Sequence, residues 1–317
     1  MEKRICSSVS LILMLFLLLP SFVFSQADNS PSYDQKVQSA INLITNETVT
    51  VLTKEITGET EVTIGGTSFT IETRYAYTNS NKKARQYIKE KLSSYGLETR
   101  YDNFSSTGAN VIGKKTGTKY PNQYYIVCCH LDDMPPTSTS TIAPGADDNG
   151  SGMVGMLEAG RIMSSYSFDY TVMFIAFDEE EIDILGSGAY ATDAYNRGDS
   201  ILGVVNLDMI AYDKNNDGKF EILTNANTES FANDYIATVR LYATDLSPVK
   251  DVTEKGSSDH VPFNRKGYRA FHIFEDSKEE NPNMHTKDDN FGNCNMTYLK
   301  NITRTVTAFL MQKAGLQ

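Results

Sequence analysis

Between residues 124 and 210 the chain alternates short apolar strands with helical stretches, and each of three strands runs straight into ionisable residues. The strand at 124–129 leads into His130-Leu131-Asp132, the strand at 171–177 into Asp178-Glu179-Glu180-Glu181, and Val204-Val205-Asn206-Leu207, within the strand at 201–210, into Asp208. Helical apolar spacing marks 150–166 and 189–196 between these strands, 229–243 and 296–314 after them, and 36–44 and 82–95 before them, while 58–73, rich in threonine and glycine, reads as a hairpin insertion. No internal repeat interrupts the pattern. The alternation predicts an α/β fold in a single domain, a mostly parallel mixed sheet with helices on both faces. In such open sheets ligands bind in the crevice at the carboxyl ends of the strands, so the three acidic and histidine-bearing ends are delivered to one place.

Two loops add to them: Pro144-Gly145-Ala146-Asp147-Asp148-Asn149-Gly150 precedes a helix, and Asn283-Met284-His285-Thr286-Lys287-Asp288-Asp289 lies between a strand and the last helix. Each residue alone has an ordinary reading as a helix cap, a turn former or a surface side chain. Five such positions at one sheet edge point instead to a metal centre. The charges balance for two zinc ions: Asp147, Glu181 and Asp208 with one bridging hydroxide offset four positive charges, and His130 and His285 ligate as neutral imidazoles. Asp132, two residues beyond His130 on extended chain, points to the same side and is placed to accept the other ring N–H of that histidine.

His130-Leu131-Asp132, the Gly-Ala-Asp-Asp-Asn-Gly-Ser-Gly run at 145–152, Glu180-Glu181 with Leu185-Gly186-Ser187, Asn206-Leu207-Asp208-Met209 and His285-Thr286 together resemble the secreted bacterial leucyl-type aminopeptidases with co-catalytic zinc. The likeness covers residues 80–315 with the motifs in family order. It implies the zinc aminopeptidase, phosphorylase-like fold, one zinc held by His130 and Asp208, the other by Glu181 and His285, Asp147 bridging them, and Glu180 as general base. The implied reaction is hydrolysis of the N-terminal peptide bond through a metal-bridged hydroxide, on peptides with a free N-terminus. Counting back from Gly186-Ser187 selects Glu180 and Glu181 from the run of three glutamates; a slip of one residue would make Glu179 the base. Ile182-Asp183 departs from the family, which has glycine one residue after the pair.

Glutaminyl cyclases share the order of these motifs, and Ser258-Asp259-His260-Val261-Pro262-Phe263 and the 285–289 segment resemble them, but their pocket is lined with tryptophan and this chain has none. Related carboxypeptidases carry an inserted domain, for which the intervals between the ligand positions here are too short. A non-catalytic binding relative is the third alternative, against which the full ligand set and Glu180 argue. Asp213-Lys214-Asn215-Asn216-Asp217-Gly218 matches the first half of a calcium loop through Asp213, Asn215 and Asp217, although Thr224 stands at position twelve; the competing reading is a polar hairpin turn. His260 and His272 are assigned structural roles, with Asp259-His260 bordering the substrate pocket as the alternative.

The basic start Glu2-Lys3-Arg4, the apolar run at 11–19, Pro20 and the small residues near Ser25 predict a signal peptide at 1–25, with the catalytic domain at 26–317. The apolar run is shorter than the roughly 20 residues that span a bilayer, so a secreted or periplasmic protein with no membrane partner after cleavage is expected. Removal of the signal, net +1, takes the formal charge from −11 to −12, which argues against nucleic acid as a partner. Cys128, Cys129 and Cys294 remain, an odd number without paired spacing, and burial on a strand is expected for the vicinal pair.

Overall fold

The computed structural model describes residues 31–137, 142–253 and 256–317; the expected signal peptide lies outside them. Two helices open this part, α1 (Gln35–Ile41) and α2 (Asn46–Ile56). The Asp34 carboxylate caps the first by accepting from the amides of Lys36 and Val37, and Thr45 and Thr48 exchange capping bonds at the second. The sequence reading contained no helix over 46–56, because its threonines and valines favour strands. Its buried residues Val49, Leu52, Thr53 and Ile56 nevertheless recur at helical spacing. The hairpin expected at 58–73 is β1 (Val62–Ile64) with β2 (Thr67–Phe69), antiparallel, followed by α3 (Asn79–Ser94).

The remaining elements are β3 (Glu98–Asn103), β4 (Ala109–Lys115), β5 (Tyr120–His130), α4 (Gly150–Met163), β6 (Tyr170–Phe177), α5 (Leu185–Arg197), β7 (Ser200–Leu207), β8 (Lys219–Thr224), α6 (Glu229–Tyr242), β9 (Ser247–Val252), α7 (His260–Arg265), β10 (Ala270–Glu275) and α8 (Met296–Lys313). Eight strands form one mixed sheet in the order β3-β4-β6-β5-β7-β10-β8-β9. At its centre β6, β5, β7 and β10 run parallel, and the antiparallel joints are β3–β4, β4–β6 and β8–β10. The expected mostly parallel mixed sheet is present, with flanking strands that the sequence reading did not place. The polar run Glu-Thr-Arg-Tyr-Asp-Asn of β3, for instance, lies at the sheet edge with one neighbour and needs no apolar period.

Alternate residues of β5 enter cores on opposite faces. Val127 and Cys129 join the cluster that contains buried residues of α4 and α8, while Ile126 and Cys128 join the one with Tyr190, Ala191 and Phe263 of α5 and α7. The vicinal cysteines are therefore buried free thiols facing away from each other.

One buried cation ties the loops at the carboxyl edge together. Arg74, 1% exposed, donates from Nε to the Leu131 carbonyl (2.8 Å), from Nη1 to those of Pro144 (2.7 Å) and Ile56 (3.3 Å), and from Nη2 to that of Gly145 (2.9 Å). Its Nη1 also lies 3.7 Å from the Asp133 carboxylate, which burial pushes up to about 6 against the pull of the guanidinium. Removing one partner of a buried ion pair strands the other, so Arg74→Met should lower unfolding free energy in urea by about 3–5 kcal/mol. A loss below about 1 kcal/mol would show that the carbonyls and Asp133 find other partners.

Candidate functional site

The ends of β5, β6 and β7 meet as the strand pattern demands. His130 closes β5, the turn Glu179–Glu181 follows β6, and Asp208 follows β7, with His130 paired in register to Phe177 of β6. Two glycines permit the close approaches beside them. A Cβ on Gly186 would lie 2.3 Å from the Asp178 carbonyl oxygen, and one on Gly152 would lie 2.4 Å from that of Leu207, so helices α5 and α4 can start hard against the strand ends only with glycine there.

His130 Nδ1 faces the backbone carbonyl of Asp132 at 3.1 Å, which makes that nitrogen the donor in a neutral ring and leaves the Nε2 lone pair pointing into the site. There it meets Asp148 Oδ1 and Asp208 Oδ1, each at 3.2 Å. On the other side of Asp148, Oδ2 lies 3.0 Å from His285 Nε2, which is in turn 3.1 Å from Glu181 Oε2. Two groups result, His130–Asp148–Asp208 and Asp148–Glu181–His285, each with ligand atoms within 4.8 Å of one another and Asp148 common to both.

The expected bridging position, Asp147, does not face this centre. In the turn that leads into α4, distant segments hold the Asp147 carboxylate: it accepts from the Ala211 amide (2.8 Å) and from Asn281 Nδ2 (3.2 Å), with the Glu275 carboxyl beside it. Burial and the neighbouring Asp147 push Glu275 up to about 12. Asp148 takes the place between the histidines. Its own carboxyl is held well below the usual range, because the bonds to His130 and His285 outweigh burial.

Asp132 also differs from its expected role. Its carboxylate lies 3.7 Å from His130 Nδ1 and instead accepts from the amides of Glu180 (3.0 Å) and Glu181 (3.1 Å), while its carbonyl oxygen takes the ring contact. It thus fixes the turn that carries both glutamates. Glu180 and Glu181 line the cavity, whereas Glu179 points toward Thr107, with 3.5 Å between Oε1 and the threonine hydroxyl. Burial pushes Glu180 up to about 10, and Glu181 to about 7 against the bond from His285. For His130 burial alone would lower the pKa, but Asp208 and its other acidic neighbours hold it well above the usual value. His285, with Asp148 and Glu181 bonded to it, stands at about 10.

Supporting residues that the sequence reading did not single out complete the site. Ser258 donates to Asp208 Oδ2 (2.6 Å) and accepts from Asn206 Nδ2 (2.7 Å). Asp289, on the loop that carries His285, accepts from the Asp147 amide (3.0 Å) and the Asp148 amide (3.0 Å) and joins that loop to the one bearing Asp148. Its position four residues after His285 was visible, but no spacing rule aims a loop carboxylate at a distant amide. His272, assigned a structural role from sequence, lines the cavity, while Asp259 and His260 lie outside its lining. The calcium-loop candidates fold back on themselves. Asp213 Oδ1 accepts from the Asp217 amide (3.2 Å), Asp217 Oδ1 from the Lys219 amide (3.0 Å), and Asn215 Nδ2 donates to Asp217 Oδ2 (3.2 Å), the geometry of a polar turn.

A sheet edge with two carboxylate–histidine groups sharing one aspartate defines a candidate metallohydrolase class, and the comparisons name the family. Residues 110–310, more than half of the chain, match the profile of Peptidase family M28, and the chain belongs to that family. It is 30% identical over 212 residues to Aminopeptidase YwaD of Bacillus subtilis, a match covering 64% of this chain and 44% of the relative, less than half of that protein's length. Two solved structures share the fold. The Legionella pneumophila LapA aminopeptidase has 21% identity and a TM-score of 0.77, covering 90% of this chain and 76% of that one. The Porphyromonas gingivalis glutaminyl cyclase has 16% identity and a TM-score of 0.67, covering 85% and 98%.

The Asp289 contacts carry a test of their own. Asp289→Ala leaves two buried amides without an acceptor and should destabilise the protein by about 2–4 kcal/mol in urea denaturation. Asp289→Asn, which keeps one acceptor oxygen, should lose less. Equal losses would place the effect in packing rather than in the amide bonds.

Proposed function

We propose that the chain is a zinc-dependent exopeptidase that hydrolyses the N-terminal peptide bond of peptides. The observation that carries this reading is the pair of ligand groups joined by Asp148, with the half-buried Glu180 beside them. The donor chemistry fits a cation. With Nδ1 of His130 committed to a carbonyl, Nε2 and two carboxylate oxygens present lone pairs to one point, an arrangement that calls for a positive charge between them. The buried Oε1 of Glu181 has no hydrogen-bond partner in the protein.

His130, Asp148 and Asp208 would hold one zinc ion and Asp148, Glu181 and His285 the other. Bound zinc would supply Lewis acidity toward the scissile carbonyl and make hydroxide available near neutrality. Asp132 orients the turn so that Glu181 reaches into one ligand group while Glu180 is left free to exchange protons. Glu180 takes the proton from the attacking water and returns it to the departing amine; an opposite charge nearby favours its ionised form. The apolar run and small residues ahead of residue 26 support export, and secretion belongs to the same proposal.

Glutaminyl cyclisation is the second reading, favoured by the shared fold of the Porphyromonas enzyme. Against it, the cavity is lined by Ile184, Met209, Phe274 and Met284, and the chain contains no tryptophan. Release of leucine from leucine amide, assayed beside N-terminal glutamine cyclisation, separates the two. Acetylating the substrate amine should abolish turnover, and Glu180→Gln should lower kcat by roughly 10² to 10⁴-fold with zinc content retained. Internal cleavage of acetylated peptides at comparable rates would exclude an exopeptidase, and an active Glu180→Gln would exclude this base.

Metal analysis distinguishes the neighbouring aspartates. Asp148→Ala should lose zinc from both positions, since one carboxylate serves two groups, whereas Asp147→Asn should retain zinc at lower stability. The reverse pattern would return the bridge to Asp147.

A further inference from the structure

The cavity in front of the carboxylate–histidine groups, about 640 Å³, has a second wall of different chemistry. Ile184, Met209, Leu223, Phe274 and Met284 line it; Met209 is buried and the other four are half-buried. These side chains come from separate elements. Ile184 follows the glutamate turn, Met209 follows Asp208, Leu223 and Phe274 lie on neighbouring strands β8 and β10, and Met284 precedes His285. Two of them are unbranched thioethers, which adapt to ligands of different shape.

Two exposed carboxylates also line the cavity. Asp183 adjoins Ile184, and Glu280 lies four residues before Met284. Among the described residues of the lining there is no lysine or arginine. Asp183 and Ile184 both have left-handed backbone, with φ of 65° and 57°, in a turn closed by the bond from the Ile184 amide to the Glu180 carbonyl (2.8 Å). The same turn therefore carries the candidate base, an apolar wall residue and a carboxylate.

We propose that Asp183 and Glu280 select peptides whose first residue has a long side chain ending in a cation, lysine or arginine, and reject those that begin with aspartate or glutamate. This rests on the exopeptidase reading, which places the first side chain in this cavity. The methylene stem of lysine or arginine covers the apolar wall while its charged head stays hydrated at the carboxylates. An acidic side chain in the same place meets two like charges and no lysine or arginine from the described lining. A leucine side chain gains the apolar wall alone.

The test compares kcat/KM for lysine, leucine and glutamate p-nitroanilides with the zinc-loaded full chain, its Glu280→Gln and Asp183→Asn variants and the double variant. Asparagine tolerates left-handed backbone, so the second substitution keeps the turn. Lysine should match or exceed leucine, and glutamate should fall at least about tenfold below both. Each single substitution should lower the lysine-to-leucine ratio about threefold to fivefold, as expected for an exposed charge pair, and 0.5 M NaCl should reduce the wild-type ratio in the same direction. Turnover of leucine with lysine no better than glutamate, or ratios unmoved in the double variant, would overturn the proposal while leaving the exopeptidase reading intact. No turnover of any of the three substrates would overturn both.

Discussion

Carboxylates crowded at the carboxyl edge of one sheet are the constraint on which the rest of the structure depends. Burying an unpaired charge is expensive, and the molecule offsets it in two ways. Guanidinium groups pair with some of the acids: Arg74 lies beside Asp133, and Arg85 Nη1 lies 3.2 Å from Asp178 Oδ2. Backbone amides satisfy others, those of Glu180 and Glu181 on Asp132, those of Asp147 and Asp148 on Asp289, and that of Ala211 on Asp147. Each of these bonds also ties one loop to another, so satisfying the acids positions the loops.

The acids left over form the candidate site. Asp148, Asp208 and Glu181 face imidazoles, and Glu180, on the turn that Asp132 holds, lines the same cavity. Two adjacent residues of one turn separate support from chemistry: Asp147 faces Ala211, Asn281 and Glu275, while Asp148 faces His130 and His285. Asn149 extends the arrangement by donating to the Leu207 carbonyl (2.8 Å) and capping α4 at the Gly152 amide (2.9 Å). Strand ends, helix start and site are consequently one hydrogen-bonded unit.

Much of this was legible in the sequence because it rests on local pattern. Apolar runs ending in His130, in Glu180-Glu181 and in Asp208 encode both strands and their chemistry, since a parallel sheet brings successive strand ends to one edge. Gly152 and Gly186 stand within the quoted motifs, but the Leu207 and Asp178 carbonyls that require them are brought close by the fold. Flanking strands such as β3 escaped, because an edge strand with one neighbour has little apolar period to display. The helix α2 escaped because β-branched residues obscured a spacing that packing against the core enforces.

What the tertiary structure alone decided is direction. Between two adjacent aspartates, sequence offers no preference for which one faces the histidines, and the choice falls to partners 64 to 141 residues away: Ala211 and Asn281 claim Asp147, and Asp289 holds the backbone of Asp148. Likewise Asp132 was placed beside His130 by its spacing, but distant amides at Glu180 and Glu181 claimed its carboxylate. The sequence by itself determined which residue types gather at the sheet edge, because strand period and element order are local properties. Which oxygen points at which nitrogen was settled by long-range hydrogen bonds, which no local pattern encodes.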